Sequence, residues 1–253
     1  MSVSQVSQLV SVVMPVFNEK DTIERVVDRV LNAPIQKELI IVDDGSTDGT
    51  RAWLQKRFSA NSAESSQRKV AMFGTTRQSS QVGVLYQPRN TGKGAALRRG
   101  FKEAKGDIVL IQDADLEYDP QDYQRLLEPI LNNQADVVYG SRFLGQPSSA
   151  WPMFAYLGNK VVTGLVNVLT GVTLTDVWTG YKVLHRKVLE GMLLQESGFE
   201  LEIELTAKIA HGKWRVCEVP IRYVPRTKAE GKKIRWLDGI KALQCSVRYR
   251  KPA

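Results

Sequence analysis

Cysteine and histidine are nearly missing from this 253-residue sequence, which has only Cys217, Cys245, His185 and His211. The four stand far apart, fit no metal-ligand spacing and so exclude a His/Cys zinc site. Two isolated thiols are the pattern of a reducing compartment. There is no phosphate loop of the form G-x-x-x-x-G-K-[ST], and no G-x-G-x-x-G follows the first strand, which sets aside P-loop and dinucleotide-binding enzymes. Met1 to Leu9 carry no basic segment followed by an apolar one, so no secretory signal is read and a cytoplasmic location is expected. A long uninterrupted apolar run is missing too. The 24 residues from Trp151 to Leu174 are broken by Asn159, Lys160, Asn167 and three glycines. Polar groups in mid-segment make a membrane span costly and leave a core helix, or one lying on a bilayer surface.

What the chain does have is polarised charge. The net charge is +8 and the pI about 9.4, which favours anionic partners such as nucleotide phosphates, nucleic acid or an anionic leaflet. From Arg222 to Lys251 basic residues face only two acids, Glu230 and Asp238, whereas Asp107 to Asp122 holds five Asp and one Glu with no base. That contrast points to a divalent cation site with basic groups opposite it. Clustered acids also disfavour a nucleic-acid track, which needs an uninterrupted basic surface, so no nucleic-acid partner is expected.

Strand and helix signals alternate through the first half. Leu9–Val16 reads as a buried parallel strand. Asn18 and Asp21 offer caps for a helix carrying Ile23, Val26, Val27 and Val30 at helical spacing. Strands are expected at Glu38–Val42, Gly83–Gln87, Asp107–Gln112 and Ala135–Gly140, and helices at Thr50–Phe58, Gly94–Lys105 and Gln121–Asn132. Val70–Phe73 reads as a short strand inside a polar insertion spanning Ser59–Ser80. Repeated strand–helix units predict an α/β fold with a mostly parallel sheet, helices on both faces and no transmembrane domain. In such sheets ligands sit beyond the carboxyl ends of the strands. Asn18-Glu19, Asp43-Asp44, Asp113-Ala114-Asp115 and Ser141-Arg142 each follow a strand directly, so four polar motifs share one edge.

A D-x-D at a strand end directs two carboxylates to one point, and hard oxygen ligands suit Mg²⁺ or Mn²⁺. Taken alone, Asp113-Ala114-Asp115 is equally a solvated turn. Asp43 to Thr50 follows a buried strand and opens a helix, with Gly45 and Gly49 for tight turning. Lys93, flanked by Gly92 and Gly94 at a helix start, is placed to meet a phosphate.

The ordered series Val13-Met14-Pro15-Val16-Phe17-Asn18-Glu19, Val42-Asp43-Asp44-Gly45-Ser46, Asn90-Thr91-Gly92-Lys93-Gly94, Asp113-Ala114-Asp115-Leu116-Glu117 and Gly140-Ser141-Arg142 resembles family 2 glycosyltransferases of GT-A fold. Within that family it is most similar to the dolichyl-phosphate mannose synthase and polyprenyl-phosphate branch. The likeness covers about residues 9–145 closely and runs more loosely to about 245. It implies one domain over 1–253, with a nucleotide-sugar half at about 9–145 and an acceptor half at about 146–253. Pro15, Phe17 and Glu19 would then border the nucleoside, Asp44 would hold base or ribose, and Lys93 would serve the donor. Asp113, Ala114 and Asp115 would lie at the metal and the donor diphosphate, with Glu117, often Gln in the family, as a further metal ligand. Phe17 stands where tyrosine is more usual. Arg142 would face the transferred group and an acceptor phosphate.

The resemblance extends to two later segments. In Thr175 to Lys182, Asp176 would lie near the acceptor, where it either deprotonates a sugar hydroxyl or braces a turn. Pro225 to Lys233, with Arg226 and Lys233, would close over the diphosphate and exclude water. Trp236 to Arg250 reads as an amphipathic helix whose Leu237, Ile240, Leu243 and Val247 stripe suits a core, with terminal bases suited to anionic lipid. One departure stands out: relatives often carry arginine near the position of Ala155, and this chain has no base there until Lys160. The expected activity is an inverting, metal-dependent transfer of mannose or glucose from a GDP- or UDP-sugar to a polyprenyl phosphate, with peripheral contact at the cytoplasmic membrane face. The rivals are a sugar-hydroxyl acceptor with Asp176 as base, a nucleotidyltransferase, and a non-catalytic binding module.

Overall fold

The computed structural model describes residues 8–58, 69–73, 80–144, 153–226 and 236–251. In chain order the elements are β1 (Val10–Val16), α1 (Ile23–Asn32), β2 (Lys37–Asp43), α2 (Thr50–Phe58), β3 (Lys69–Phe73), β4 (Ser80–Tyr86), α3 (Lys93–Glu103) and β5 (Ile108–Ile111). They continue with α4 (Tyr123–Leu131), β6 (Val137–Ser141), α5 (Met153–Thr170), β7 (Lys182–His185), α6 (Arg186–Leu189), α7 (Leu201–His211), β8 (Val216–Pro220) and α8 (Trp236–Arg248). A 3₁₀ turn at Pro120–Asp122 precedes α4 and is capped by the Asp119 side chain, which accepts from the Gln121 N–H.

All eight strands form one sheet in the order β3-β4-β2-β1-β5-β7-β6-β8. β1 pairs in parallel with β2 and β5, β2 with β4, and β6 with β8. Only β3 and β7 run against their neighbours. Six strands therefore deliver their carboxyl ends to one edge, and β7 lets the chain return between β5 and β6 without breaking that alignment.

Side-chain alternation along the strands divides the core into two layers. Val12 and Met14 of β1 join Val26, Val27 and Val30 of α1, Leu54 and Phe58 of α2, and Leu126 and Leu127 of α4. Val13, from the same strand, faces the other way to Leu97 of α3, Val162 and Val166 of α5, Leu205 of α7 and Ala242 of α8. β2 is buried along its whole length, as a strand covered on both faces must be.

Two local expectations change. Thr22 precedes α1 and makes no side-chain capping bond, and neither Asn18 nor Asp21 caps the helix. Asn18 instead has φ 48° and uses its Oδ1 to accept from the Thr47 N–H, 2.8 Å away, so it ties the β1 loop to the β2 loop. In α8 the expected apolar stripe is split: Leu243 packs against the core, Ile240 and Val247 are exposed, and Ala242, Cys245 and Ser246 complete the inner face. Neighbouring α5 and α7 press close enough to admit those smaller groups. Leu237's side chain lies outside those described. α5 also exposes Met153, Leu157, Val161 and Val168, spaced along one face. Among the described residues, no helix is long and apolar enough to cross a membrane.

α3 lies so close to the sheet that a Cβ on Gly100 would come within 2.3 Å of Val13 Cγ1. Gly100→Ala gains roughly 1 kcal/mol of helix propensity, but overpacking against a stiff β-branched side chain costs about 1–3 kcal/mol. Urea denaturation is expected to show Gly100→Ala as net destabilised. Gly164→Ala on α5, where an added methyl meets nothing within 4 Å, is expected to be stabilised.

Candidate active site

The carboxyl ends of β1, β2, β5 and β6 border a cavity of about 620 Å³. Each strand brings its motif to the rim because the backbone turns away directly after the last ladder bond. At β2 the turn demands Gly45, with φ 77°; a Cβ there would lie 2.4 Å from the Arg89 carbonyl carbon. Asp44 reaches across this close approach. Its Oδ1 accepts from the Thr91 N–H at 2.8 Å and its Oδ2 from the Gly92 N–H at 2.8 Å, so it holds the loop that leads into α3. Burial pushes the Asp44 carboxyl up, against the pull of those bonds.

The acidic motif after β5 is divided between two cations. Lys93 Nζ lies 2.7 Å from Asp113 and 3.0 Å from Glu202, and Glu202 in turn meets Lys182 at 2.5 Å. A Cβ at Gly180 would collide with Asp113 Oδ2 at 2.1 Å, so glycine there lets the carboxylate rest against the backbone. Arg226 takes the other half. Its Nη2 is 3.0 Å from Asp115 and its Nη1 3.0 Å from Glu19, while its backbone N–H donates to Glu117 Oε1 at 2.7 Å. Burial pushes the Asp115 carboxyl well up, with the charges of Asp113 and Glu117 adding to it and Arg226 opposing.

On the β6 side, Arg142 and Asp176 form a two-pronged pair. Arg142 Nε lies 2.7 Å from Oδ2 of Asp176 and its Nη2 2.8 Å from Oδ1. Asn159 Nδ2 also donates to Oδ1, at 2.9 Å, and Asp176 is fully buried. Burial opposes the charge on Asp176, but Arg142's charge and the hydrogen bonds outweigh it and hold the carboxyl below its ordinary value. The guanidinium stands 5.0 Å over the Tyr223 ring and borders the cavity.

The structure thus gathers most of the residues singled out in the sequence. Pro15, Phe17, Glu19, Asp44, Lys93, Asp113, Ala114, Asp115, Glu117, Arg142 and Arg226 all line the cavity. Asp176 is not at the surface of the cavity but underneath Arg142. Lys233 lies outside the described residues. Tyr118, Trp178, Phe199, Glu202 and Tyr223 also line the cavity. Glu202 and Phe199 had no visible signal, since they come from the start of α7, far in sequence from every strand-end motif. Among the described residues, no three acidic, histidine or cysteine side chains are gathered to hold a metal ion. Of the expected trio Asp113, Asp115 and Glu117, Lys93 pairs with the first and Arg226 with the other two. In chemistry the trio still suits a hard divalent ion: carboxylate oxygens on one loop, whose mutual repulsion two cations presently offset.

A mostly parallel sheet with acidic and basic motifs collected on one edge is the GT-A architecture of a glycosyltransferase. A family model described as "Glycosyl transferase family 2" matches residues 11–193, and the chain belongs to that family. It is 31% identical over 228 residues to "Dolichol-phosphate mannosyltransferase" of Pyrococcus furiosus, an alignment covering 88% of this chain and 58% of that protein. It is 30% identical over 240 residues to "Polyprenol monophosphomannose synthase" of Mycolicibacterium smegmatis, covering 90% of this chain and 84% of that protein. The fold matches glucosyl-3-phosphoglycerate synthase from Mycobacterium tuberculosis, solved with Mn²⁺ and UDP-glucose, at TM-score 0.66 and 21% identity, over 97% of this chain and 81% of that one. At such low identity the likeness speaks for the fold alone.

Removing one partner of a buried pair strands the other charge, at a cost of about 3–5 kcal/mol. Arg142→Met is therefore expected to lower stability by that order in urea denaturation, and Arg142→Met with Asp176→Leu to recover much of the loss.

Proposed function

We propose that this chain transfers a hexose, mannose or glucose, from a nucleotide-sugar to the phosphate of a polyprenyl phosphate, with inversion at the anomeric carbon. The observation that carries this reading is the state of Asp176: buried, held below its ordinary pKa and engaged through both oxygens. A carboxylate so placed is a poor general base for a sugar hydroxyl, and it serves instead to hold Arg142 at the cavity. A phosphate monoester needs no base, because its second pKa lies near 6 and it is already an anionic nucleophile at neutral pH.

In this reading the acceptor oxygen, oriented by Arg142, forms a bond to the anomeric carbon while the bond from that carbon to the donor diphosphate breaks. The electron pair leaves with the nucleoside diphosphate. Pro15, Phe17, Glu19 and Asp44 border the nucleoside, and Lys93 and Arg226 stand where the leaving charge gathers. Lys233 belongs to the same basic segment as Arg226. Asp113, Asp115 and Glu117 would hold Mg²⁺ or Mn²⁺, which when bound supplies further charge stabilisation to the diphosphate. Contact with an anionic membrane at the cytoplasmic face is supported by the exposed apolar residues of α5. Ile240 and Val247 on α8, which packs against α5, are exposed as well, as are Arg248, Arg250 and Lys251. The relatives' acceptors, as their names give them, point the same way.

A panel of GDP- and UDP-sugars, followed by nucleoside diphosphate release with Mg²⁺ or Mn²⁺, tests the reading. Release is expected to need both the metal and a short polyprenyl phosphate, and Asp115→Asn to lower it by roughly 10²–10³-fold with folding intact. Release unaffected by lipid would replace the phosphate acceptor with a hydroxyl one. Pyrophosphate as the product would replace glycosyl transfer with nucleotidyl transfer.

A further inference from the structure

We infer that Glu218, on the edge strand β8 and outside the cavity, is a positioning residue that fixes Arg142 through the Thr175–Asp176 turn. That turn belongs to no helix or strand. Glu218 accepts from both of its backbone N–H groups. Its Oε2 accepts from the Thr175 N–H at 2.8 Å, and its Oε1 from the Thr175 hydroxyl and the Asp176 N–H, both at 3.1 Å. The other side of Thr175 is gripped by Lys160, whose Nζ donates to its carbonyl at 3.0 Å.

The register explains why this edge residue governs the site. Glu218 lies opposite Tyr139 on β6, the strand that ends at Ser141 and hands the chain to Arg142. The Ser141 hydroxyl lies 2.7 Å from the Thr175 hydroxyl and accepts from the Phe143 N–H at 3.2 Å. With Thr175 donating to Glu218, Ser141 donates to Thr175, so the hydroxyls run in one direction and the residues on both sides of Arg142 are pinned. Asp176, so placed, engages the Arg142 side chain twice and its backbone N–H at 3.2 Å. Three donors converge on the Glu218 carboxylate. A glutamine there has one acceptor oxygen and would aim an NH₂ at a fixed donor, leaving the turn short of a partner.

The inference rests on the proposed transfer for its kinetic arm only. The structural arm is the rate at which phenylglyoxal modifies Arg142 in the full chain, read by peptide mass mapping, with Arg51 as internal control since Asp43 holds it independently. In Glu218→Gln, Arg142 is expected to react about tenfold faster and Arg51 at an unchanged rate. In the kinetic arm, the KM for a short polyprenyl phosphate is expected to rise about tenfold, with nucleoside diphosphate affinity within about twofold of wild type. In an Arg142→Lys background, adding Glu218→Gln is expected to change turnover by less than about twofold, because residues acting through one group are not additive. An unchanged Arg142 rate in folded Glu218→Gln, or equal losses in both backgrounds, overturns the inference. Should Glu218→Gln not fold, Thr175→Val removes the hydroxyl link alone; an Arg142 rate about threefold higher supports the inference, and an unchanged one overturns it. A wild-type chain that transfers no sugar would defeat the proposed function, while the modification rates would still decide the role of Glu218.

Discussion

Negative charge gathered at the carboxyl end of β5 is the constraint around which the rest of this site is organised. Asp113, Asp115 and Glu117 share one loop, and Glu19 joins them from β1. Left alone, such carboxylates would repel one another and lose solvation inside a half-closed cavity. The structure answers with two cations from opposite directions. Lys93 arrives at the start of α3, and Arg226 comes from the segment after β8. Each fixes a different part of the molecule against the acidic loop, so charge balance and tertiary closure are one requirement.

The same balance accounts for the buried links behind the cavity. Lys93 also meets Glu202, which meets Lys182, so the α3 terminus, α7 and β7 are joined through ion pairs. Pairs of this kind contribute little net stability compared with apolar packing, yet breaking one is costly. Their effect is to hold positions. Arg142 is the clearest case, since β6 presents it but Asp176, delivered by a distant turn, decides where its guanidinium points.

The layout separates two surfaces with different physical character. Around β1, β2 and β5 the rim is built by short turns from regular strands, with Asp44 tying two loops together through backbone donors. Around β6, β7 and α5 the chain is irregular and relies on Glu218, Asn159 and Lys160 to keep its shape. In the proposed transfer the first surface takes the nucleotide, and the second, which carries Arg142, takes the acceptor phosphate. In that transfer donor and acceptor meet at the acidic loop.

Much of this was legible before any coordinates. Apolar runs such as residues 12–16 and 39–42 show their burial in composition, because strands covered on both faces favour apolar residues along their length. Polar motifs that directly follow such runs must lie on one edge, and so Asp44, Asp113, Asp115 and Arg142 could be grouped by local reasoning alone. Glu202, Phe199 and Glu218 could not, because their roles depend on partners far away in sequence. The orientation of α8 was hidden for a related reason. Its helical period is plain, but which side is buried depends on the space left by α5 and α7, and there Leu243 shares the inner side with Ala242 and Cys245 while Ile240 and Val247 stay outside. The sequence by itself determined the alternation of strands and helices in the first half, the chemical class of the edge and the family. Only tertiary structure decided that Asp176 is an anchor under Arg142 and that Arg226 sits among the acids, because both outcomes are set by charges brought together across long separations.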